Sequence, residues 1–370
     1  MSVKVAVIGA GSWGTTVASI VAAREHTVLW ARRPELAVEI NERRLNSTYL
    51  GDARLPESLH ATSSITEAVE GASVVVMGVP SHGFREVLSS AAEAMPEGTP
   101  VLSLSKGLEQ QTLLRMTEVI GEVCPSSPAG VLTGPNLARE VCAGQPTATV
   151  VAFVDEDLAR ELQRLFWTET LRVYTNTDVV GCETAGAVKN VMAIATGMAV
   201  GLGFGDNTRA AVITRSLAEV ARLGTALGGD PLTFGGLAGL GDLVATCTST
   251  KSRNFTVGLE LAAGKSMGEI VDGMKMVAEG IKSSRPVVEL AYRHGLEMPI
   301  AEQVVAVLYE GKAPAATIAS LMHRSAKPEL QGLRTRPDPT PSPPAAAGTA
   351  ARRFADPDLG SPDGSDASRR

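Results

Sequence analysis

Three stretches of this chain combine residue types that can do chemistry. Lys189 stands in Glu183-Thr184-Ala185-Gly186-Ala187-Val188-Lys189-Asn190-Val191-Met192-Ala193-Ile194-Ala195, where its neighbours are small and apolar. An ammonium held among such neighbours loses hydration, so its pKa falls toward neutrality and it can exchange protons in catalysis. The alternative is a lysine whose stem lies along the core while its head reaches water. Asp242 stands in Gly236-Leu237-Ala238-Gly239-Leu240-Gly241-Asp242-Leu243, again glycine-rich and apolar. Such a carboxylate holds a hydroxyl or a cation, or it caps a helix. Thr248-Ser249-Thr250-Lys251-Ser252-Arg253-Asn254 leads into a helix expected over 254–263. A hydroxyl, a guanidinium and an amide at a helix start suit a phosphate, with a solvated capping loop as the plainer reading. Lys106 follows a strand expected over 100–105. It is a lone cation at a strand's carboxyl end, placed to meet an anion or simply to lie at the surface.

The scaffold for these groups starts at the beginning of the chain. Residues 3–8 are short, β-branched and nearly all apolar, as in a strand buried on both faces. Gly9, Gly11 and Gly14 follow in G-x-G-x-x-G spacing, then a helix over 15–24 and a strand over 27–31. Strand, glycine turn, helix and strand in that order mark a dinucleotide-binding unit, although a glycine turn that binds nothing is the competing reading. The helix start offers N–H groups and a positive dipole end to a pyrophosphate. At the end of the second strand, where an acidic residue would hold a ribose 2′-hydroxyl, the chain has Arg32-Arg33, with Glu35 behind Pro34. Two cations suit a 2′-phosphate. The expected cofactor is therefore NADP(H), or both NADP(H) and NAD(H), rather than NAD(H) alone.

Further strand-like runs at 72–81, 100–105, 130–133, 150–154 and 171–174 alternate with helical ones, which predicts a mostly parallel, doubly wound sheet up to about residue 180. Gly134-Pro135 makes a turn, and Asn136 reads as the cap of the next helix. From residue 181 strand-like runs stop. Helices are expected over 184–199, 208–223, 266–278 and 284–294, with Asn207 as a cap, Gly224 and Gly295 just past two ends, and Asp230-Pro231 opening a helical turn. The expected architecture is α/β. It has a Rossmann-like dinucleotide domain (1–180), an all-helical substrate domain (181–326) and a disordered tail rich in Pro, Ala, Gly, Ser and Asp (327–370). The site should lie between the two domains, at the carboxyl edge of the sheet.

A chain of 370 residues can build such cores, and a formal charge of -6 does not point to nucleic acid. Cys124, Cys142, Cys182 and Cys247 are scattered, which suggests buried thiols in a reduced, cytosolic protein rather than a zinc site. The chain enters a strand at once, leaving no room for a signal peptide. No membrane span is expected: the stretch 190–205 is broken by Thr196 and four glycines and ends at Asp206.

Taken in order, Gly9-Ala10-Gly11-Ser12-Trp13-Gly14-Thr15, Val79-Pro80-Ser81, Ser105-Lys106-Gly107, Gly134-Pro135, Lys189-Asn190, Leu237-Ala238-Gly239-Leu240-Gly241-Asp242-Leu243, Ser252-Arg253-Asn254 and Glu297-Met298-Pro299-Ile300 resemble NAD(P)-dependent glycerol-3-phosphate dehydrogenases of the bacterial type. The resemblance covers residues 3–325 and leaves the tail without a counterpart. It implies reduction of dihydroxyacetone phosphate to sn-glycerol 3-phosphate for glycerophospholipid synthesis, by a cytosolic homodimer. It also implies Lys189 as the proton-transfer residue. Gly9, Gly11, Ser12, Trp13, Gly14, Arg32, Arg33, Lys106, Ala138, Arg253, Val277 and Glu279 would serve the cofactor. Lys106, Gly134, Asn136, Lys189, Asp242, Ser252, Arg253 and Asn254 would line the substrate pocket. Asn136 stands where many members have Ser or Thr. Phe255 stands where a basic or polar residue is frequent, at the expected rim of the phosphate site. Two other readings compete: a β-hydroxy-acid or ketopantoate-type dehydrogenase, and a dinucleotide-binding redox sensor that turns nothing over.

Overall fold

The computed structural model describes residues 3–274, 278–325 and Glu329. Apart from Glu329, the expected tail lies outside the described residues.

Strands β1 (Lys4–Ile8), β2 (His26–Trp30), β3 (His60–Thr62), β4 (Val74–Met77), β5 (Val101–Ser103), β6 (Ala129–Thr133), β7 (Thr147–Phe153) and β8 (Leu171–Asn176) form one sheet in the order β3-β2-β1-β4-β5-β6-β7-β8. Neighbours are parallel except β6 and β7, which run antiparallel. The inner strands are β-branched and closed to water on both faces, so the run of Val and Ile in β1 and β4 is what a parallel sheet covered by helices requires. Helices α1 (Ser12–Ala22), α2 (Pro34–Arg43), α3 (Ser47–Leu50), α4 (Ile65–Val69), α5 (Phe84–Ala92), α6 (Met116–Val123), α7 (Ala138–Cys142) and α8 (Glu156–Phe166) belong to this half. β3 escapes sequence reading, since three residues starting with an exposed His carry no alternation.

The chain moves outward from β1 to β3 and then returns to β4 on the other side of β1. Strand ends diverge at such a reversal and leave a crevice. The glycine turn sits there. Gly9 has φ +120°, and a Cβ on it would lie 2.8 Å from the Gly78 backbone, while one on Gly14 would lie 2.0 Å from the Gly9 carbonyl oxygen. Turn, strand and helix can approach this closely only with both side chains absent.

The second half is helical: α9 (Val179–Gly201), α10 (Asp206–Ala226), α11 (Asp242–Thr248), α12 (Arg253–Ala262), α13 (Met267–Asp272), α14 (Glu279–Arg293), α15 (Pro299–Glu310) and α16 (Pro314–Met322). α9 is the axis of this half. It is apolar on nearly every side and buried along almost its whole length. It starts five residues before the expected point because Asp178 accepts the Gly181 N–H. Helix α12 packs against it with backbones in contact: a Cβ at Gly197 would meet the Phe255 carbonyl oxygen at 2.1 Å, and one at Gly258 the Ile194 oxygen at 2.2 Å.

Several helix ends differ from expectation. Gly205, not Asn207, is the N-cap of α10, and Asn207 lies in its first turn. Gly224 is inside α10, where the Phe234 ring packs against the space a side chain would fill. The helix expected over 266–278 ends at Asp272, and α14 starts at Glu279 and carries Pro286 within it. Gly295, with φ +68°, does follow α14, and Asp230 does cap the turn opened by Pro231. All four cysteines are free thiols, with Cys142 only half-buried. Among the described residues no helix is long and apolar enough to cross a membrane.

Candidate active site

Three charged side chains meet where the carboxyl edge of the sheet faces the helical half. Lys189 projects from the middle of α9 and is 7% exposed. Its Nζ donates to Asp242 Oδ1 and, at 2.7 Å, to Thr246 Oγ1. Lys106, just past β5, donates from Nζ to Asp242 Oδ2 at 2.6 Å and to the Gly134 carbonyl at 2.8 Å. The Lys189 head is therefore held by protein groups rather than extended into solvent, and Asp242 is not an N-cap, since Gly241 holds that position in α11. A π-helical turn, Leu237–Gly241, delivers Asp242 into the first turn of α11. Its extra residue shifts the side chains that follow, a device common at functional sites.

Burial pushes the Lys189 pKa down to about 8. The charge of Asp242 pulls it up, and Lys106 adds to the lowering. The trio carries two positive charges and one negative. Its excess positive charge, held in place before any reaction, suits an oxyanion that forms beside it.

Asn190, next to Lys189, ties the surrounding elements together. Its Nδ2 donates to the Lys106 carbonyl at 3.2 Å, and its Oδ1 accepts from Asn254 Nδ2 at 2.9 Å. Asn254 Oδ1 in turn accepts the Gly280 N–H at 2.9 Å. Asn254 is thus buried and engaged on both sides of its amide. Ser252 caps α12, its hydroxyl accepting the Phe255 N–H at 3.3 Å. Arg253 is the first residue of that helix. Surrounding protein lowers its pKa, and the charge of Glu279 opposes the lowering. Glu279 accepts a hydrogen bond from Ser81 Oγ at 3.1 Å, so the loop after β4 meets the start of α14. Phe255 is buried and does not stand at a rim.

Gly134 has φ +131°, and its carbonyl faces Lys106. Asn136 is not a cap. Leu137 precedes α7, while Asn136 Nδ2 donates to Thr149 Oγ1 at 3.0 Å. Its Oδ1 is buried without a protein partner.

The glycine turn fits a dinucleotide. α1 begins at Ser12, so its first-turn N–H groups face the crevice end, and around the Cβ position of Gly11 no atom lies within 4 Å. Ser12 Oγ donates to the Tyr49 carbonyl at 3.1 Å, and Trp13 Nε1 is buried with no partner. Arg32 and Arg33 are exposed at the end of β2, and among the described residues no carboxylate forms an ion pair with either. Ala138 opens α7, and its carbonyl accepts from Thr16 Oγ1 at 3.3 Å, joining α7 to α1. Val277 lies outside the described residues.

Sequence reading left Thr246 and Asn190 without roles. Thr246 is four residues past Asp242, one helical turn on, and that spacing was the available signal. Asn190 carried no signal beyond its place beside Lys189.

Residues 4–159 match the family model of the NAD-dependent glycerol-3-phosphate dehydrogenase N-terminus, and residues 178–319 that of its C-terminus. The chain is 53% identical over 318 residues to glycerol-3-phosphate dehydrogenase (NAD(P)+) 2 of Sphingopyxis alaskensis, covering 86% of this chain and 95% of that one. It is 55% identical over 309 residues to a protein of Mycobacterium avium with the same activity in its name, covering 83% and 91%. A crystal structure of glycerol-3-phosphate dehydrogenase from Coxiella burnetii superposes with a TM-score of 0.84 at 36% identity, covering 87% of this chain and 99% of that one.

Proposed function

The chain belongs to the NAD-dependent glycerol-3-phosphate dehydrogenase family, and on that premise we propose how its own residues carry out the reaction. It is an NAD(P)-dependent oxidoreductase that interconverts dihydroxyacetone phosphate and sn-glycerol 3-phosphate. When bound, the nicotinamide supplies the hydride that the ketone carbon receives. The carbonyl oxygen then gains negative charge. Lys189, as ammonium, stabilises that charge and delivers the proton, and in the reverse direction neutral Lys189 takes it back. Asp242 holds Lys189 in line and keeps the ammonium form accessible near neutral pH. Lys106 adds positive field, while Arg253 and the start of α12 anchor the phosphate and so place the reacting carbon. Gly9, Gly11, Ser12, Trp13 and Gly14 would hold the pyrophosphate, with Arg32 and Arg33 at a 2′-phosphate.

The single observation that carries this assignment is the Lys106–Asp242–Lys189 trio, with Lys189 and Asp242 buried, tied through Asn190 and Asn254 to the helix start that bears Arg253. In this reading residues 1–180 chiefly serve the dinucleotide and 181–326 the substrate, with Lys106 of the first half joining Asp242 at the substrate. A cytosolic homodimer completes the proposal, to be checked by sedimentation equilibrium. The hydroxy-acid and sensor readings are not favoured, because relatives above 50% identity carry the glycerol-3-phosphate dehydrogenase name.

The test is oxidation of NADPH and of NADH with dihydroxyacetone phosphate, beside unphosphorylated dihydroxyacetone and ketopantoate. Turnover confined to the phosphorylated ketone is expected. Equal rates on the unphosphorylated ketones would overturn the assignment of the phosphate anchor.

A further inference from the structure

Asn46 lies outside every motif discussed so far, yet it is fully buried against the glycine turn. Its Nδ2 donates to the Ala10 carbonyl at 3.0 Å and to Thr15 Oγ1 at 2.8 Å, and Thr15 is itself fully buried. Its Oδ1 accepts the Tyr49 N–H at 3.3 Å, and the Tyr49 carbonyl accepts from Ser12 Oγ. The segment at 46–50 is thereby stitched to residues 10–15 by side-chain bonds alone, 31 to 37 positions away in sequence.

The consequence lies in the peptide plane between Ala10 and Gly11. It is trans, as are all the described peptides, so its carbonyl and its N–H point to opposite sides. An amide that pins the Ala10 oxygen toward the interior turns the Gly11 N–H away from the interior. Of the three glycines in the turn, Gly11 is the one around whose Cβ position the structure leaves open space. An N–H aimed in advance loses no ordering free energy when an anion arrives, which is how a preorganised donor adds affinity.

We propose that Asn46 is a positioning residue for the dinucleotide: by holding the Ala10 carbonyl and the Thr15 hydroxyl it fixes the Gly11 N–H in the direction of the bound phosphates. It acts through backbone common to both cofactors, so it governs affinity for NADPH and NADH alike, unlike Arg32 and Arg33. The inference rests on the dinucleotide lying at the glycine turn.

The experiment measures dissociation constants of NADPH and NADH by fluorescence titration of the free enzyme, with Tm recorded alongside. Asn46→Asp keeps the shape but cannot donate to the Ala10 oxygen, and it is expected to raise both constants about tenfold or more, by the same factor. The KM for dihydroxyacetone phosphate at saturating cofactor should stay within about twofold. Thr15→Val should weaken both cofactors in the same way, and Thr15→Ser, which keeps the hydroxyl, should restore them. This second pair keeps the question answerable if Asn46→Asp does not fold. A lowered Tm with unchanged dissociation constants would make Asn46 merely structural and overturn the proposal, as would a rise for one cofactor only. Gly11→Leu separates the underlying assumption: it should abolish cofactor binding. Retained binding in Gly11→Leu would move the dinucleotide elsewhere. Loss there with none in Asn46→Asp would refute the positioning role alone.

Discussion

Asp242 and Lys189, 53 residues apart in the chain, meet as a buried ion pair, and the other carboxylate oxygen of Asp242 holds Lys106. Desolvation of Lys189 lowers its proton affinity and Asp242 partly restores it, leaving the ammonium with a pKa of about 8. An amine at that value can both give and take a proton near neutral pH. A fully solvated lysine would hold its proton too tightly for the return reaction.

Replacing Lys189 tests this directly. Lys189→Ala is expected to lower kcat by roughly a hundred- to ten-thousand-fold, the usual worth of a general acid or base. The pH profile of the parent carries the sign. Reduction of the ketone needs the ammonium, so its rate should fall as pH rises through about 8. Oxidation of glycerol 3-phosphate needs the neutral amine, so its rate should rise through the same pH. Steady-state rates in both directions check this, and parallel profiles would remove Lys189 from the proton path.

Asp242→Asn deletes the one charge that raises the Lys189 pKa and leaves two cations close together. The midpoint of the reductive pH profile should therefore move below that of the parent. Leaving a buried charge without its partner typically costs about 3–5 kcal/mol, so the variant should also unfold at lower urea concentration. A profile with an unmoved midpoint would show that Asp242 does not set the protonation of Lys189.

Arg32→Ala combined with Arg33→Ala should raise the KM for NADPH by tenfold or more, on the order of one lost charge-assisted phosphate contact, and that for NADH much less. The structure leaves both guanidinium groups exposed at the end of β2. Equal effects on the two cofactors, measured in the same assay, would place the 2′-phosphate elsewhere.

Glu219 offers a test of stability rather than catalysis. It is buried on α10, and its carboxylate accepts the N–H groups of Ile300 (2.9 Å) and Ala301 (3.4 Å) at the start of α15. Burial raises its pKa to about 7, against those hydrogen bonds and the charge of Arg222. The fold therefore favours the protonated acid. The stability from this group is complete below the ordinary carboxylate range and is lost as pH rises through about 7. Glu219→Gln keeps an acceptor and removes the titration. Its Tm relative to the parent should climb between pH 5 and pH 8, and a constant difference across that range would contradict the assignment.

The local half of this protein was written in residue types. The β-branched runs of β1 and β4, the spacing of Gly9, Gly11 and Gly14, and the loss of strand-like runs from residue 181 depend on neighbours along the chain, so they are legible without coordinates. Lys189 and Asp242 were legible for a related reason, since a charge among small apolar residues is expensive and needs a purpose. What joins them was not. Their pairing with Lys106, the Asn190–Asn254 ladder and the grip of Asn46 on the glycine turn connect segments far apart in sequence. Helix ends were misread where distant packing outweighed local signals, as at Gly224, whose missing side chain makes room for Phe234 rather than ending α10. Sequence determined which groups are costly to bury. Only the tertiary structure decided which partner each of them meets, because that choice depends on how the sheet and the α9 bundle bring remote backbone together.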